Sequence, residues 1–305
     1  MGNEVEAAVR EIESSIKAVE RNEILDEEAN FFDRVQAIDF IEFHIIDRIA
    51  YVLADGGRTN ALTGLKQRAE SSRNRLEQTN EKLFQRLRAN IRLGNYTGEQ
   101  LRRQLGATAE RASQDDQNGV GYDVLNVFVS GLLQVSAAPE PTQSLEPEMV
   151  PYQPTPVRAV LELVERANLT GRDVFYDIGS GLGQVPILIR LLSDARTKGI
   201  ELEPAYCHYA RACAKRLNLS QVEFHNVDAR EADYSDGTIF FLYTPFRGRL
   251  LQEVLDKLER ESRQRPIKIY AYGPCIPQVS SQSWLKWVGQ NAGHEYELAV
   301  FESVH

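Results

Sequence analysis

The sequence predicts two regions of different class: an all-α region over residues 1–134 and an α/β region over residues 157–305. Three observations predict this. Before residue 134 apolar residues recur at helical spacing, whereas after residue 156 short β-rich runs alternate with amphipathic ones. Residues 135–156 hold half of the chain's 12 prolines, and proline's fixed φ and missing amide favour an extended linker there. A glycine-rich turn joins the first β-rich run to the segment after it. A length of 305 residues suits two domains.

In the first region, Val5, Val9, Ile12, Ile16 and Val19 mark one amphipathic helix. Phe32, Val35, Ile38, Phe43, Ile46 and Ile49 mark a second over residues 31–53, stopped by Asp55-Gly56-Gly57. A long polar helix follows over residues 62–93. Its stripe of Leu62, Leu65, Ala69, Leu76, Leu83 and Leu87 is thin and interrupted by Ser72 and Thr79, which suits a helical hairpin or a partner contact better than a core. Thr97-Gly98-Glu99-Gln100 has the form of a capping box opening a helix to Leu105. Residues 123–133 are apolar enough to be buried.

In the second region, strands are predicted at 173–178, 198–201, 222–227, 238–243 and 267–272. Helices are predicted at 157–167, 185–192, 205–217 and 249–260. Such alternation means a parallel sheet covered on both faces. Residues 284–288 and 296–301, joined by a short glycine-containing loop, predict an antiparallel hairpin at the sheet edge.

Composition narrows the function. The net charge is -9, and a uniformly acidic surface repels nucleic acid and anionic lipid. The charge is uneven, however. Residues 1–55 hold 5 basic and 14 acidic side chains, residues 56–111 hold 12 and 5. Nucleic acid therefore has one possible contact, the basic helix at 62–93 with Arg68, Arg73, Arg75, Arg86, Arg88 and Arg92; pairing of this basic block with the acidic helices before it is the favoured reading. Three cysteines without a Cys-x-x-Cys pair and five scattered histidines offer neither a disulfide framework nor a metal site. No apolar run reaches membrane-spanning length and no secretory leader opens the chain, so a cytoplasmic protein without membrane contact is expected.

The strongest chemical signal is Asp177-Ile178-Gly179-Ser180-Gly181-Leu182-Gly183-Gln184, between a strand and its helix. The third glycine comes one residue too early for a dinucleotide fingerprint, and no lysine follows as a phosphate loop requires. The segment resembles motif I of the class I S-adenosylmethionine-dependent methyltransferases. The resemblance covers roughly residues 150–303. It implies a Rossmann-like seven-stranded methyltransferase sheet with an antiparallel C-terminal hairpin, beside the all-α N-terminal domain. It further implies S-adenosyl-L-methionine as cofactor and S-adenosyl-L-homocysteine as product. On this resemblance Asp177 sits by the methionine amino group, and Gly179, Gly181, Gly183 and Gln184 form the loop beneath the cofactor. Glu201 accepts the ribose hydroxyls, Asp228 with Ala229 meets the adenine, and Tyr206 flanks it. Tyr152 and Thr155, in residues 151–156, correspond to a lid over the methionine end; a plain spacer is the alternative.

Tyr243-Thr244-Pro245-Phe246 resembles motif IV, with Tyr243 and Phe246 lining the methyl-transfer site and Thr244 at the cofactor. Tyr243 and Thr244 replace the amide or carboxylate and the first proline of the nucleobase-methylating enzymes, which argues against a nucleobase amine. Residues 177–185 are also similar to motif I of the non-SET histone lysine methyltransferases, which points towards a protein lysine. The expectation is methyl transfer to a nitrogen or oxygen nucleophile on a protein or other macromolecule, with the helical domain aiding recognition. A small-molecule methyltransferase and a non-catalytic partner-binding scaffold are the alternatives. No residue is assigned as general base.

Overall fold

In the α/β part of the chain, seven strands form one sheet in the order β3-β2-β1-β4-β5-β7-β6. The structure, a computed structural model, describes residues 2–54, 59–115, 123–135, 138–289 and 297–304. They fall into two compact units: Met1–Arg88 with Leu105–Leu132, and Ala89–Gln104 with Leu133–His305.

The sheet belongs to the second unit. Strands β1 (Val174–Ile178), β2 (Arg196–Glu201), β3 (Val222–Asn226), β4 (Ile239–Tyr243) and β5 (Lys268–Tyr272) are mutually parallel. Every residue of β1 is buried, as a central strand covered on both faces requires. Helices α7 (Val157–Ala167), α8 (Gln184–Leu192), α9 (Pro204–Arg216) and α10 (Gly248–Ser262) occupy the predicted segments within a residue or two. Strand β7 (Ala299–Ser303) runs antiparallel between β5 and the edge strand β6 (Leu285–Trp287), so the tail forms the expected edge hairpin. Residues 290–296, which include the predicted hairpin loop and Tyr296, lie outside the described residues. A five-residue helix, α11 (Ile276–Ser280), was not predicted; it is shorter than two turns, so periodicity carries no signal for it. The chain order reverses direction across the sheet between β1 and β4, where open α/β sheets leave a ligand crevice at the carboxyl ends of their strands.

The first unit is helical: α1 (Gly2–Arg21), α2 (Phe31–Asp39), α3 (Asp47–Ala54), most of α4 (Thr59–Arg92), part of α5 (Gly98–Asp115) and most of α6 (Val124–Leu133). Two expectations are corrected here. The thin stripe of α4 is core: Leu62, Leu65, Ala69 and Leu76 pack with Ile12, Ile16, Ile41 and Ile49, and Leu83 and Leu87 are buried as well. The acidic helices provide its apolar partner, which the α4 sequence alone does not show. Phe43 is 60% exposed rather than buried. Residues Phe40–Ile46 form a π-helical stretch. Its wider turn advances the phase, so Ile41, Ile45 and Ile46 point inward and Phe43 outward. The predicted stop at Asp55-Gly56-Gly57 lies outside the described residues.

Within this unit the arginines of α4 meet the acids of the preceding segments. Arg68 pairs with Glu20, Arg73 with Glu42, Arg75 with Asp26 and Arg86 with Glu28, while Arg88 pairs with Glu81 and donates to the Gly131 carbonyl at 2.8 Å. Five of the six arginines named from the sequence therefore serve the fold of this unit, and Arg92 belongs to the other. The capping box at Thr97 is present in the second unit: the Gln100 amide donates to Thr97 Oγ1 at 3.2 Å and the Thr97 amide to Gln100 Oε1 at 2.8 Å. No described helix is long and apolar enough to cross a membrane, and no group of metal-ligating side chains occurs among the described residues.

Candidate active site

The carboxyl ends of β1, β2, β3 and β4 open into one cavity of about 340 Å³. It is built first by the turn after β1. The amides of Gly179 and Ser180 both donate to the Ile200 carbonyl at 2.9 Å, which draws the turn down onto β2. Gly181 has φ +50, and a Cβ there would overlap the ring of Tyr152; at Gly179 (φ +84) it would overlap Pro245. Glycine is thus required by two close approaches, one from each side of the cavity. Gly183 differs. It is not part of the cavity wall, and a Cβ on it would lie 2.6 Å from Phe224 Cζ and 2.7 Å from Ala210 Cβ, so it serves helix-to-sheet packing.

Asp177, the next-to-last residue of β1, is 4% exposed and faces the cavity. Burial, reinforced by the charge of Glu201, raises its carboxyl well above the usual range. Glu201 ends β2. Its Oε2 accepts from the Gly181 amide and its Oε1 from the Glu203 amide, both at 2.7 Å. Burial still raises its pKa, against those hydrogen bonds. Asp228, after β3, is held low, first by the Arg230 side chain: Nε donates to Oδ1 at 3.0 Å and Nη2 to Oδ2 at 2.6 Å. Ala229 lines the cavity beside it.

The proline-rich stretch forms one wall of this cavity, from Pro141 to Thr155. This strap is fastened at several points. The Glu203 carboxylate accepts from the Thr142 hydroxyl and the Thr142 and Gln143 amides at 2.6–2.8 Å, and from the Ala205 amide at 2.9 Å as the N-cap of α9. The Val150 amide donates to the Pro245 carbonyl at 3.1 Å and the Arg247 amide to the Glu148 carbonyl at 2.9 Å. Gln184 Nε2 donates to the Thr155 carbonyl at 2.8 Å. Tyr152 lies with its ring 5.5 Å from that of Tyr206, and its hydroxyl is buried without a hydrogen-bond partner. Ser180 Oγ is a second such orphan on the wall.

Motif IV closes the far side. Tyr243 packs edge-to-face on Tyr272 with centroids 5.2 Å apart, and Phe246 is buried beside Met149. Thr244 adopts φ +41, in the left-handed region. Its hydroxyl donates to the Tyr272 carbonyl and accepts from the Cys275 amide, each at 3.1 Å, so it holds the turn in shape from behind. Cys275 is buried in the same packing.

Every cofactor-side residue named from the sequence except Gly183 thus lines one cavity, together with Tyr243 and Phe246. Sequence reasoning missed Glu203, Arg230, Glu146 and Glu148. For Glu203 a signal exists: an acid directly before Pro204 at a helix start is an N-cap pattern. Arg230 and the strap acids act through long-range pairs, which carry no local pattern.

The strand order, the glycine turn and the acids at three successive strand ends give the chain the fold and the site arrangement of a class I S-adenosylmethionine-dependent methyltransferase. More particularly, residues 150–249 match a family model described as histone methylation protein DOT1. No curated protein matches the chain. Among solved structures, it is similar to an RNA methyltransferase of Salinibacter ruber in complex with S-adenosyl-L-homocysteine, at 26% identity over 50% of this chain and 92% of that one, with TM-score 0.39. It is also similar to a putative methyltransferase of Escherichia coli, at 17% identity over 50% and 89%, with TM-score 0.43. A third is a tRNA (uracil-54, C5)-methyltransferase of Pyrococcus abyssi, at 19% identity over 50% and 40%, with TM-score 0.38.

Proposed function

We propose that this chain methylates a nitrogen on a protein, a lysine side chain, with the helical region at residues 1–134 aiding recognition and residues 135–156 forming the cofactor lid. The observation that carries the reading is the family match, which runs from the strap residue Val150 through all three acid-bearing strand ends to Arg249 and so spans most of the cavity wall.

The cavity fits the cofactor on its own chemistry. An enclosed pair of carboxylates with raised pKa values calls for a cationic ligand, and the orphaned Tyr152 and Ser180 hydroxyls call for polar contacts within it. In this reading Asp177 holds the amino group and Glu201 the ribose hydroxyls. Asp228 with Ala229 receives the adenine beside Tyr206. Gly179, Gly181 and Gln184 form the floor, which Gly183 supports through its packing, while Tyr152, Thr155 and Thr244 enclose the methionine end. When bound, S-adenosylmethionine supplies an electrophilic sulfonium methyl group and departs as S-adenosylhomocysteine.

The acceptor end has an aromatic wall, Tyr243, Phe246 and Tyr152, and the Pro245 carbonyl is already taken by the strap. Such a wall desolvates an incoming ammonium and favours its neutral, nucleophilic form. It also orients the amine for in-line attack. In this reading Tyr243 lines the methyl-transfer site beside the amine.

The test is incubation of the full chain with methyl-labelled cofactor and, separately, core histones, total cell protein, RNA and a small-molecule extract. Label recovered as methyl-lysine after hydrolysis of the protein samples supports the reading. Label confined to RNA or to small molecules overturns it.

A further inference from the structure

Four fastenings hold the strap between Pro141 and Val150, and one of them is unlike the others. The Glu203 carboxylate, itself 7% exposed, clasps Thr142 and Gln143, the Glu148 carboxylate accepts from the Leu250 amide at 2.9 Å, and the ribbon between Glu148–Val150 and Pro245–Arg247 is backbone to backbone. The fourth joins two charged side chains: Arg230 Nη2 donates to Glu146 Oε1 at 2.8 Å. The same guanidinium grips Asp228 with Nε and Nη2. Arg230 itself is anchored. Its amide donates to Asp228 Oδ1 at 2.8 Å and its carbonyl accepts from Lys257 Nζ at 3.0 Å. Between the clasp and the ribbon, Gln143, Ser144 and Leu145 line the cavity, and Leu145 is 51% exposed.

We propose that Arg230 is a positioning residue that latches this strap to the loop bearing Asp228, so that ligand leaves the cavity when the Arg230–Glu146 pair opens. The proposal rests on the cofactor reading above. The geometry divides the work of one guanidinium. Two of its nitrogens hold the Asp228 carboxylate in a planar fork, an arrangement lysine cannot make. The nitrogen shared with Glu146 reaches across to the strap. The side chains of Glu146 and Arg230 are 49% and 30% exposed, so water competes with this pair and it opens readily. Arg230 thus couples the loop that receives the ligand to the segment that covers it.

Hydrogen exchange of the strap amides in ligand-free protein, followed by chase of labelled S-adenosylhomocysteine, tests this on the full chain, Glu146→Ala, Glu146→Gln and the control Glu140→Ala. Glu146→Ala is expected to speed exchange at residues 144–150 while leaving β1 unchanged. It should raise the dissociation rate about twofold to fivefold, the range of partly exposed ion pairs. Glu146→Gln, which keeps an acceptor oxygen, should fall between, and Glu140→Ala should change neither. Wild-type strap exchange in Glu146→Ala overturns the latch. Faster exchange with an unchanged dissociation rate overturns its coupling to the ligand. If the wild type holds no S-adenosylhomocysteine while Glu146→Ala still loosens the strap, the cofactor reading fails and the strap latch stands.

Discussion

Asp177 carries its carboxyl at the end of the central strand, enclosed and facing a second acid, Glu201. Its folded-state pKa lies above the ordinary value of about 3.9. The folded state therefore binds this proton more tightly than the unfolded chain. Ligand-free stability should fall as pH rises from the ordinary carboxyl value through the raised one. Asp177→Asn removes that dependence. It should raise the ligand-free melting temperature while abolishing the stabilisation that added S-adenosylmethionine gives the wild type, a pair of outcomes that thermal melts with and without cofactor will show. Cofactor affinity should change with pH in the opposite sense, rising as Asp177 ionises and then levelling, which calorimetric titration across pH will test. The place of Asp177 on the cavity wall was legible because it stands at a fixed step before a glycine turn. Arg230 was not, since its partners Asp228 and Glu146 are joined only in the fold.

At the scale of elements, glycines report where backbones and rings meet. Gly181 is one side of such a meeting and Tyr152 the other. Gly181→Ala should displace the tyrosine and raise the KM for cofactor at least tenfold, with a stability loss of about 1–3 kcal/mol for a residue held at positive φ. Gly131 in α6 allows Phe84 to complete a triad of edge-to-face rings with Phe31 and Phe128. Gly131→Ala overpacks this contact and should cost the helical unit about 1–3 kcal/mol in chemical denaturation. Phe43 makes the opposite point. A straight α-helical reading buries it, but the π-helical turn exposes it, so Phe43→Ser should change stability by about 0.5 kcal/mol or less. Elements with strong periodicity, such as α7 and α10, were read from the chain almost to their ends. A π-helical stretch and a five-residue helix leave too little repeat to register.

On the scale of the whole molecule, the two units rest on different forces. The α/β unit is dominated by a dry core from Val174 to Phe301. The helical unit adds a set of exposed pairs between the arginines of α4 and the acids before them. Each such pair is worth little and is screened by salt. Raising sodium chloride from low concentration to 1 M should lower the melting transition of the helical unit by a few degrees and leave that of the α/β unit in place; calorimetry resolves the two. The sequence by itself determined the order of elements, the class of sheet and the positions of Asp177, Glu201 and Asp228, because strand period, glycine turns and strand ends are local properties of the chain. Only the tertiary structure decided that the proline-rich stretch is a cavity wall, that Gly183 serves packing, and that four arginines of the basic helix pair with the acids before it. Those outcomes depend on which distant groups meet, and the pairing of distant groups leaves no spacing to read.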